Sequence, residues 1–557
     1  MSHPVLIVGA GPTGLVLALT LLRNNVPVRI IEKQPKYQIG QRGSGIQSRT
    51  LEVYKVLGIL QEILDASGQF QQIEQWLFKA EKPAKVMDMS VTTPNTSSRP
   101  YNNPAMLGQD RHEHILRNVL DRDYGCKVEL GTEFISFEQH PDHVVVNLEK
   151  TVDGQTTTET ATFAYLVGTD GAHSKVRKEL GLTFLGESIP SVAVLVGDMD
   201  IKGMDRKYWR LWGDQDTGSP MGRRMISLRP TETDDDRVNF YISGFGEEKV
   251  LAGGREAIVE CIKEATGRSD LQFGELIVAN IWRPNIRMVN KFGEGRVFIA
   301  GDAAHCHSPT GGQGIVSGVQ DSYLFTNFNL GWKLSLTYKN LASGSLLETY
   351  SQERLLVIAT MLEKTTELFH KTFGTNGRDG WFRGYELRQL GVNYRRGPLV
   401  VDQKYTEVEE GSDPYRAGDD GTVRAGDRAP DAPGLVKHSN RSETTSFFDV
   451  FKPSVHTVIV FAGATGTDEQ DAVLKAVTQY PKGTVQTVVV YPTSSSAMDS
   501  LSAQADYVLV DCEGHAYKNY VVSDTELSVV VVRPDAYIGA LILQRDSLES
   551  YFKNIFA

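Results

Sequence analysis

The chain has 557 residues, 40% of them hydrophobic and 23% charged, with 58 basic against 69 acidic side chains and a formal net charge of -11. That apolar content suffices for ordinary cores in two or three domains, the acidic balance without a long basic run argues against nucleic acid as a partner, and no apolar run reaches spanning length, so no stable membrane anchor is expected. Four widely spaced cysteines (Cys126, Cys261, Cys306, Cys512) without a CxxC predict free thiols in a reducing compartment, and with no basic leader before the first strand and no peroxisomal tripeptide the expected location is cytoplasmic.

The chain opens on Val5-Leu6-Ile7-Val8-Gly9-Ala10-Gly11-Pro12-Thr13-Gly14. The apolar run predicts a buried strand; the glycines allow a tight turn, close approach of backbone to a pyrophosphate and close packing of the next helix. Residues 15 to 25 continue as an apolar helix, whose N-terminus favours phosphate. Val28-Arg29-Ile30-Ile31-Glu32 predicts the next strand, and Glu32, eighteen residues beyond Gly14, stands where a carboxylate accepts hydrogen bonds from an adenosine ribose. A dinucleotide site follows from that context; FAD and NAD both satisfy it.

Residues 72–105 carry no nucleotide motif, and Gly108-Gln109 precedes a helix. Near residue 170 comes Leu166-Val167-Gly168-Thr169-Asp170-Gly171, with Ser174 and Arg177 beyond; Asp170 reads as a turn residue or as a cofactor residue. Residues 186–284 read as strands, among them 191–199, 225–228 and 238–243, separated by polar turns. Near 300 a further strand runs into Gly301-Asp302, followed by Pro309-Thr310-Gly311-Gly312-Gln313-Gly314-Ile315 and a helix. Asp302 is either a cofactor ligand or a turn aspartate. His305-Cys306-His307 lacks a third and fourth ligand nearby, so no metal is expected. A helix over 345–369 precedes a Gly, Asp and Pro-rich segment, 396–434, that reads as a linker, and residues 455–461, 487–491 and 529–532 read as buried strands of a last unit.

The order of these three motifs resembles the single-component FAD-dependent aromatic hydroxylases, in particular the phenol hydroxylase-like branch. The resemblance implies an α/β fold: a Rossmann-like FAD-binding domain (1–71, 106–185, 285–395) interleaved with a β-sheet substrate domain (72–105, 186–284), then the linker (396–434) and a thioredoxin-like α/β domain (435–557) that is redox-inert for want of CxxC. It implies FAD contacts from Gly9, Gly11, Pro12, Thr13, Gly14, Glu32, Lys33, Arg42, Gln109, Asp170, Asp302, Gly312, Gln313, Gly314 and Ile315. Tyr241 matches the tyrosine of an Arg-x-Tyr pair that faces the aromatic substrate, although a core aromatic is the alternative, and the arginine position holds Asn239. Pro309 matches a proline whose carbonyl lies near the substrate hydroxyl.

The same resemblance implies NADPH or NADH as co-substrate, hydride transfer to FAD, O2 addition at the flavin 4a carbon, and oxygen transfer from the hydroperoxide to a small phenolic substrate, in a possible homodimer. Ser44 stands where the branch has a phenol-activating aspartate, so deprotonation requires another group, a water chain or a phenol already acidic enough to ionise. A flavin-dependent reductase without oxygen insertion and a non-catalytic flavin-binding protein share the same motifs. Seven residues, Ser322 to Phe328, lie between Asp321 and Asn329 where relatives have two. At about 100° per residue the extra five would turn Trp332 and Leu334 out of the core, so a bulge, kink or loop is expected within 322–329.

Overall fold

The computed structural model describes residues 3–557 apart from 42, 89–90, 190–191, 214–223, 234, 308–326, 374–383, 406–410, 419–420, 464–466, 494–504 and 544. Val5–Val8, apolar at every position, is buried on both faces, as a central strand of a parallel sheet covered on both sides must be. It pairs in parallel with Tyr165–Gly168 on one side and Val28–Glu32 on the other, and Tyr165–Gly168 pairs in parallel with Val297–Ile299. Three strands that lead into motifs far apart in sequence therefore lie side by side. The helix Pro12–Arg23 follows the first of them at once, with Pro12 in its first turn, where a missing N–H costs nothing. Gly331 lets the helix Asn327–Tyr338 pack tightly on it, since a Cβ there would stand 2.7 Å from Thr20 Cγ2.

A seven-stranded sheet interrupts this body, in the order Gln272–Trp282, Val194–Lys202, Arg237–Ser243, Met225–Pro230, Tyr208–Gly213, Gln72–Leu77, Lys85–Met87. Its strands alternate. Leu195, Met199, Ile226, Leu228, Phe240 and Ile242 share a core with Ile258 and Ile262, on a helix, Gly254–Thr266, that the reading as strands and polar turns passed over. Its apolar residues recur at helical spacing, which covers the sheet's apolar face. Register puts Asp198 opposite Asn239, Arg229 opposite Asn239, and Ser227 opposite Tyr241. These residues occupy the other face.

The C-terminal sheet has eight strands, in the order Val401–Asp402, Ile538–Ile542, Ser528–Val532, His456–Phe461, Val485–Pro492, Tyr507–Asp511, Leu435–Lys437, Asn440–Thr445. The segment read as a linker is no free tether where it is described. Val401–Asp402 joins the edge of that sheet, Tyr415, Ala425, Ala429 and Ala432 are buried, and Asp427 accepts from Arg395 Nε at 2.7 Å. Its glycines and prolines turn the chain against two surfaces rather than into water.

A cluster of charges with no solvent access fastens this unit to the first. Glu353 accepts from Lys333 Nζ at 2.8 Å and from Arg533 Nη1 at 2.7 Å, and Trp332 Nε1 donates to Asp535 at 3.2 Å. Arg49 donates to the carbonyls of Asp535 and Ala536 at 3.2 and 3.1 Å. Of the range 322–329 expected to be irregular, residues 322–326 lie outside the described residues and residues 327–329 open the helix Asn327–Tyr338; Trp332 and Leu334 are in the core, at 1% and 0% exposure.

Candidate active site

The turn after Val5–Val8 is shaped by three glycines that do three different things. Gly9 adopts φ +102°, and a Cβ on it would meet the Thr169 carbonyl oxygen at 2.5 Å; a Cβ on Gly14 would meet the Gly9 oxygen at 2.1 Å. Both positions are set by protein packing against protein. Around Gly11 nothing lies within 4 Å of such a Cβ. Gly11 faces an open cleft of about 410 Å³, which Gly9, Pro12, Thr13, Glu32, Lys33, Gln109, Asp170 and Asp302 also line. Gly14 lies behind it, at the helix–strand contact.

Glu32 closes the strand Val28–Glu32 at the rim of the cleft. Its carboxylate accepts from Ala10 N at 3.1 Å and from Gln34 N at 3.0 Å, which fixes it beside the glycine turn with lone pairs left for a ligand hydroxyl. Gln109 begins the helix Gln109–Tyr124; its side chain donates to Glu113 at 2.8 Å and its backbone N–H to the Gly43 carbonyl at 3.0 Å. Asp302 stands exposed in the short turn Gly301–Ala303.

Asp170 reaches the cleft but spends its carboxylate locally. Ser174 Oγ donates to it at 2.6 Å and Lys175 N at 2.8 Å; burial pushes its carboxyl above the ordinary range, and those bonds oppose the shift. Arg177 donates to the carbonyls of Ala303 and Ala172, both at 2.9 Å, and so ties the second motif to the third. Arg42, Pro309, Gly312, Gln313, Gly314 and Ile315 lie outside the described residues.

Tyr241 is half-buried on the polar face of the seven-stranded sheet and does not line the 410 Å³ cleft. Sequence reasoning missed its surroundings. Arg229, buried, donates to Gln41 Oε1; Asn239 donates to Asp198 Oδ1 at 2.7 Å and to the Gln41 carbonyl at 3.2 Å. Asp198 Oδ2 accepts from Gln41 N at 2.7 Å, and burial pushes its carboxyl upward against the bonds from Asn239 and Gln41. A signal was available: Ser227 and Arg229 alternate with Ile226 and Leu228 on one strand, so the polar pair had to share a face. Ser44 offers its backbone carbonyl to Leu107 N at 2.7 Å. Among the described residues no three His, Cys, Asp or Glu side chains converge as metal ligands, and no helix is long and apolar enough to cross a membrane.

Comparison with known proteins adds an independent line. Residues 2–365 match the model of an FAD binding domain, and residues 498–557 match the phenol hydroxylase C-terminal dimerisation domain. A flavin-dependent monooxygenase of Mycobacteroides abscessus is 31% identical over 540 residues, covering 96% of each chain. A pentachlorophenol 4-monooxygenase of Sphingobium chlorophenolicum is 28% identical over 549 residues, covering 96% of this chain and 93% of the relative. Among solved structures, the flavin-dependent monooxygenase PieE in complex with FAD and substrate superposes with a TM-score of 0.80 at 22% identity, covering 100% of this chain and 98% of that one. Aklavinone-11 hydroxylase in a ternary complex with FAD and aklavinone superposes at 0.77 with 24% identity, over 99% and 98% of the two chains. These two likenesses establish a shared fold.

Proposed function

This chain belongs to the FAD-binding-domain family of flavin-dependent monooxygenases, and from that premise we propose that it inserts one atom of O2 into an ionised phenolic ring with NADPH or NADH as reductant. As a family member it is an FAD-dependent aromatic monooxygenase of α/β fold. The observation that carries the reading is the open space over Gly11, between two glycines whose positions are dictated by packing: a cradle that a Cβ would fill and a pyrophosphate fits. Gly9, Gly11, Pro12 and Thr13 would hold that group, with Gly14 behind them keeping the helix against the strand, Glu32 and Lys33 the adenosine side, and Gln109 and Asp302 the ribityl side, with Asp170 a brace of the cleft wall. By resemblance Arg42, Gly312, Gln313, Gly314 and Ile315 serve the ring end. Bound FAD supplies hydride acceptance from the nicotinamide and activation of O2.

The chain's own residues then position the substrate and exclude water. Tyr241 and Arg229 share one sheet face, and the guanidinium favours an anion there. Ser44 cannot act as a carboxylate base, and both oxygens of Asp198 are committed to Asn239 and Gln41. Of the courses open, another group, a water chain or an acidic phenol, the last is the one proposed: the substrate arrives ionised, its ring acidified by electron-withdrawing substituents. The relative that acts on pentachlorophenol supports that choice. Pro309, by resemblance, offers its carbonyl near the hydroxyl. The match over residues 498–557 supports a homodimer, and four free cysteines support a reducing, cytoplasmic setting.

The test is holoenzyme with NADPH or NADH, isotopically labelled O2 and a panel of phenols graded in acidity. Label in a hydroxylated product, with the most acidic phenols turned over fastest near neutral pH, is the expected result. Nicotinamide oxidation that yields only hydrogen peroxide with every phenol would replace the reading with an oxidase or reductase.

A further inference from the structure

Gln41 is the residue before Arg42 in the loop that leads from the adenosine side of the cleft, and it is almost wholly buried, at 4% exposure. Each kind of polar group it carries is bonded to the substrate-facing sheet or to the turn that follows it. Its N–H donates to Asp198 Oδ2 at 2.7 Å, its carbonyl accepts from Asn239 Nδ2 at 3.2 Å, its Oε1 accepts from Arg229, and its Nε2 donates to Glu232 Oε2 at 2.7 Å. Three strands of one sheet, Val194–Lys202, Met225–Pro230 and Arg237–Ser243, thus supply partners to a single residue that belongs to the other body.

Glu232 passes the connection on. Its second oxygen accepts from Gly108 N at 2.7 Å and from Arg111 Nη1 at 3.3 Å, so it caps the helix whose first residue, Gln109, lines the dinucleotide cleft. The fit is tight: a Cβ on Gly108 would stand 2.6 Å from Gln41 Nε2. At the other end Arg229 lies on the same face as Tyr241, one register step away, because Ser227 opposes Tyr241 and Arg229 opposes Asn239.

We propose that Gln41 is a positioning residue through which occupancy of the Tyr241 face of the sheet is transmitted to the cofactor cleft, along the path Arg229, Gln41, Glu232, Gly108 and Gln109. A phenolate beside Tyr241 attracts the Arg229 guanidinium. Gln41 Oε1 then loses its donor or turns with it, and because the same amide holds Glu232, the cap of the helix that begins at Gln109 shifts as well. The bonds from the sheet to Gln41 are buried and those to Glu232 partly so, which makes leaving any one of them unmade costly and the rearrangement concerted rather than local. The inference rests on the monooxygenase reading and adds to it a residue that touches neither substrate nor cofactor.

The experiment uses full-length holoenzyme and the phenol that wild type hydroxylates best in the labelled-oxygen assay. Gln41→Met keeps the side-chain volume and deletes both amide bonds. Two quantities are read: the change in the visible flavin band on phenol binding, and hydroxylated product formed per NAD(P)H consumed. In the variant the phenol still binds, while both readouts fall about fivefold or more, the lower end of ordinary coupling between sites. A merely structural role would lower stability and leave both ratios alone. A Gln41→Met protein that perturbs its flavin and couples as wild type does overturns the inference. If that variant purifies without flavin, Glu232→Gln decides, since it removes the acceptor of Gln41 Nε2 and leaves Arg229 and Tyr241 as they are: the same fall in both readouts upholds the path, and wild-type values overturn it. A wild type that transfers no oxygen to any phenol removes the premise itself, a result distinct from an active wild type beside an unaltered variant.

Discussion

Gly14 and Gly11 can be told from each other by experiment, although one motif contains both. Gly14→Ala drives a methyl into the Gly9 carbonyl, 2.1 Å away, so the helix must separate from the strand; a loss of about 1–3 kcal/mol or more in stability is expected from such overpacking, read by thermal denaturation of apoprotein. Gly11→Ala meets no protein atom and has φ -69°, which alanine adopts freely. Its apoprotein should melt within about 2 °C of wild type, as surface changes do, while FAD retention falls sharply because the methyl enters the cleft. Equal melting and equal FAD affinity for Gly11→Ala would remove the pyrophosphate from that spot. Glu32→Ala should weaken FAD binding by about 1–3 kcal/mol, as expected when a buried donor or acceptor loses its partner, with the Ala10 and Gln34 N–H groups freed as well. Isothermal titration of apoprotein with FAD checks it.

At the scale of an element, the segment 396–434 carries its own titration. Asp431 is buried, and burial raises its carboxyl to about 6 against the bonds its Oδ1 accepts from Phe448 N and Ala432 N, both at 2.9 Å. A carboxyl whose folded value lies above its unfolded one binds more protons when folded, so stability falls as pH rises from about 4 through about 6 and levels off above. Asp431→Asn keeps the Oδ1 acceptor and removes the charge. It should be more stable than wild type at pH 7.5 by about 1–3 kcal/mol, with the difference gone near pH 4; urea titrations at the two pH values measure it. Glu353, on the long helix Ser345–Phe373, behaves in the opposite sense. Burial opposes its ionisation, yet the Arg533 and Lys333 cations outweigh burial and hold it well below the usual range. Its contribution is therefore present above about pH 4.5 and is lost as pH falls below that. Glu353→Gln leaves two buried cations facing Asp535, and a loss of about 3–5 kcal/mol is expected.

For the whole molecule, the C-terminal unit is structurally continuous with the flavin body. A chain ending at residue 430 loses Arg533 and Asp535 from the charge cluster, strips Arg49 of its two carbonyl acceptors, and uncovers Trp332, which packs edge-on against His456 at 5.2 Å. We expect such a chain to melt well below the full protein and to aggregate, a stability defect that appears before any defect in flavin reduction measured per folded, flavin-bound molecule. Full-length protein should scatter as a dimer, twice 61.6 kDa. A stable, monomeric full-length protein would contradict the dimer.

What the sequence determined by itself was local. Strand, glycine turn, helix and closing acid are written contiguously in residues 5–32, because hydrophobic period, backbone freedom and a single carboxylate suffice to specify them, and the fold draws Gly9, Gly11, Glu32, Asp170 and Asp302 to one cleft. What only the tertiary structure decided were contacts between segments far apart in the chain. Gln41 meets Asp198, Arg229 and Asn239 across 157 to 198 residues, and no local pattern announces a buried amide that serves four partners. The segment 396–434 has the composition of a linker, yet composition reports only how freely a chain can turn; whether a turning chain lies in water or against a surface depends on which surfaces the rest of the fold leaves uncovered. Glu353 and Arg533, 180 residues apart, look in sequence like two solvated charges, and only their exclusion from water makes them a lock.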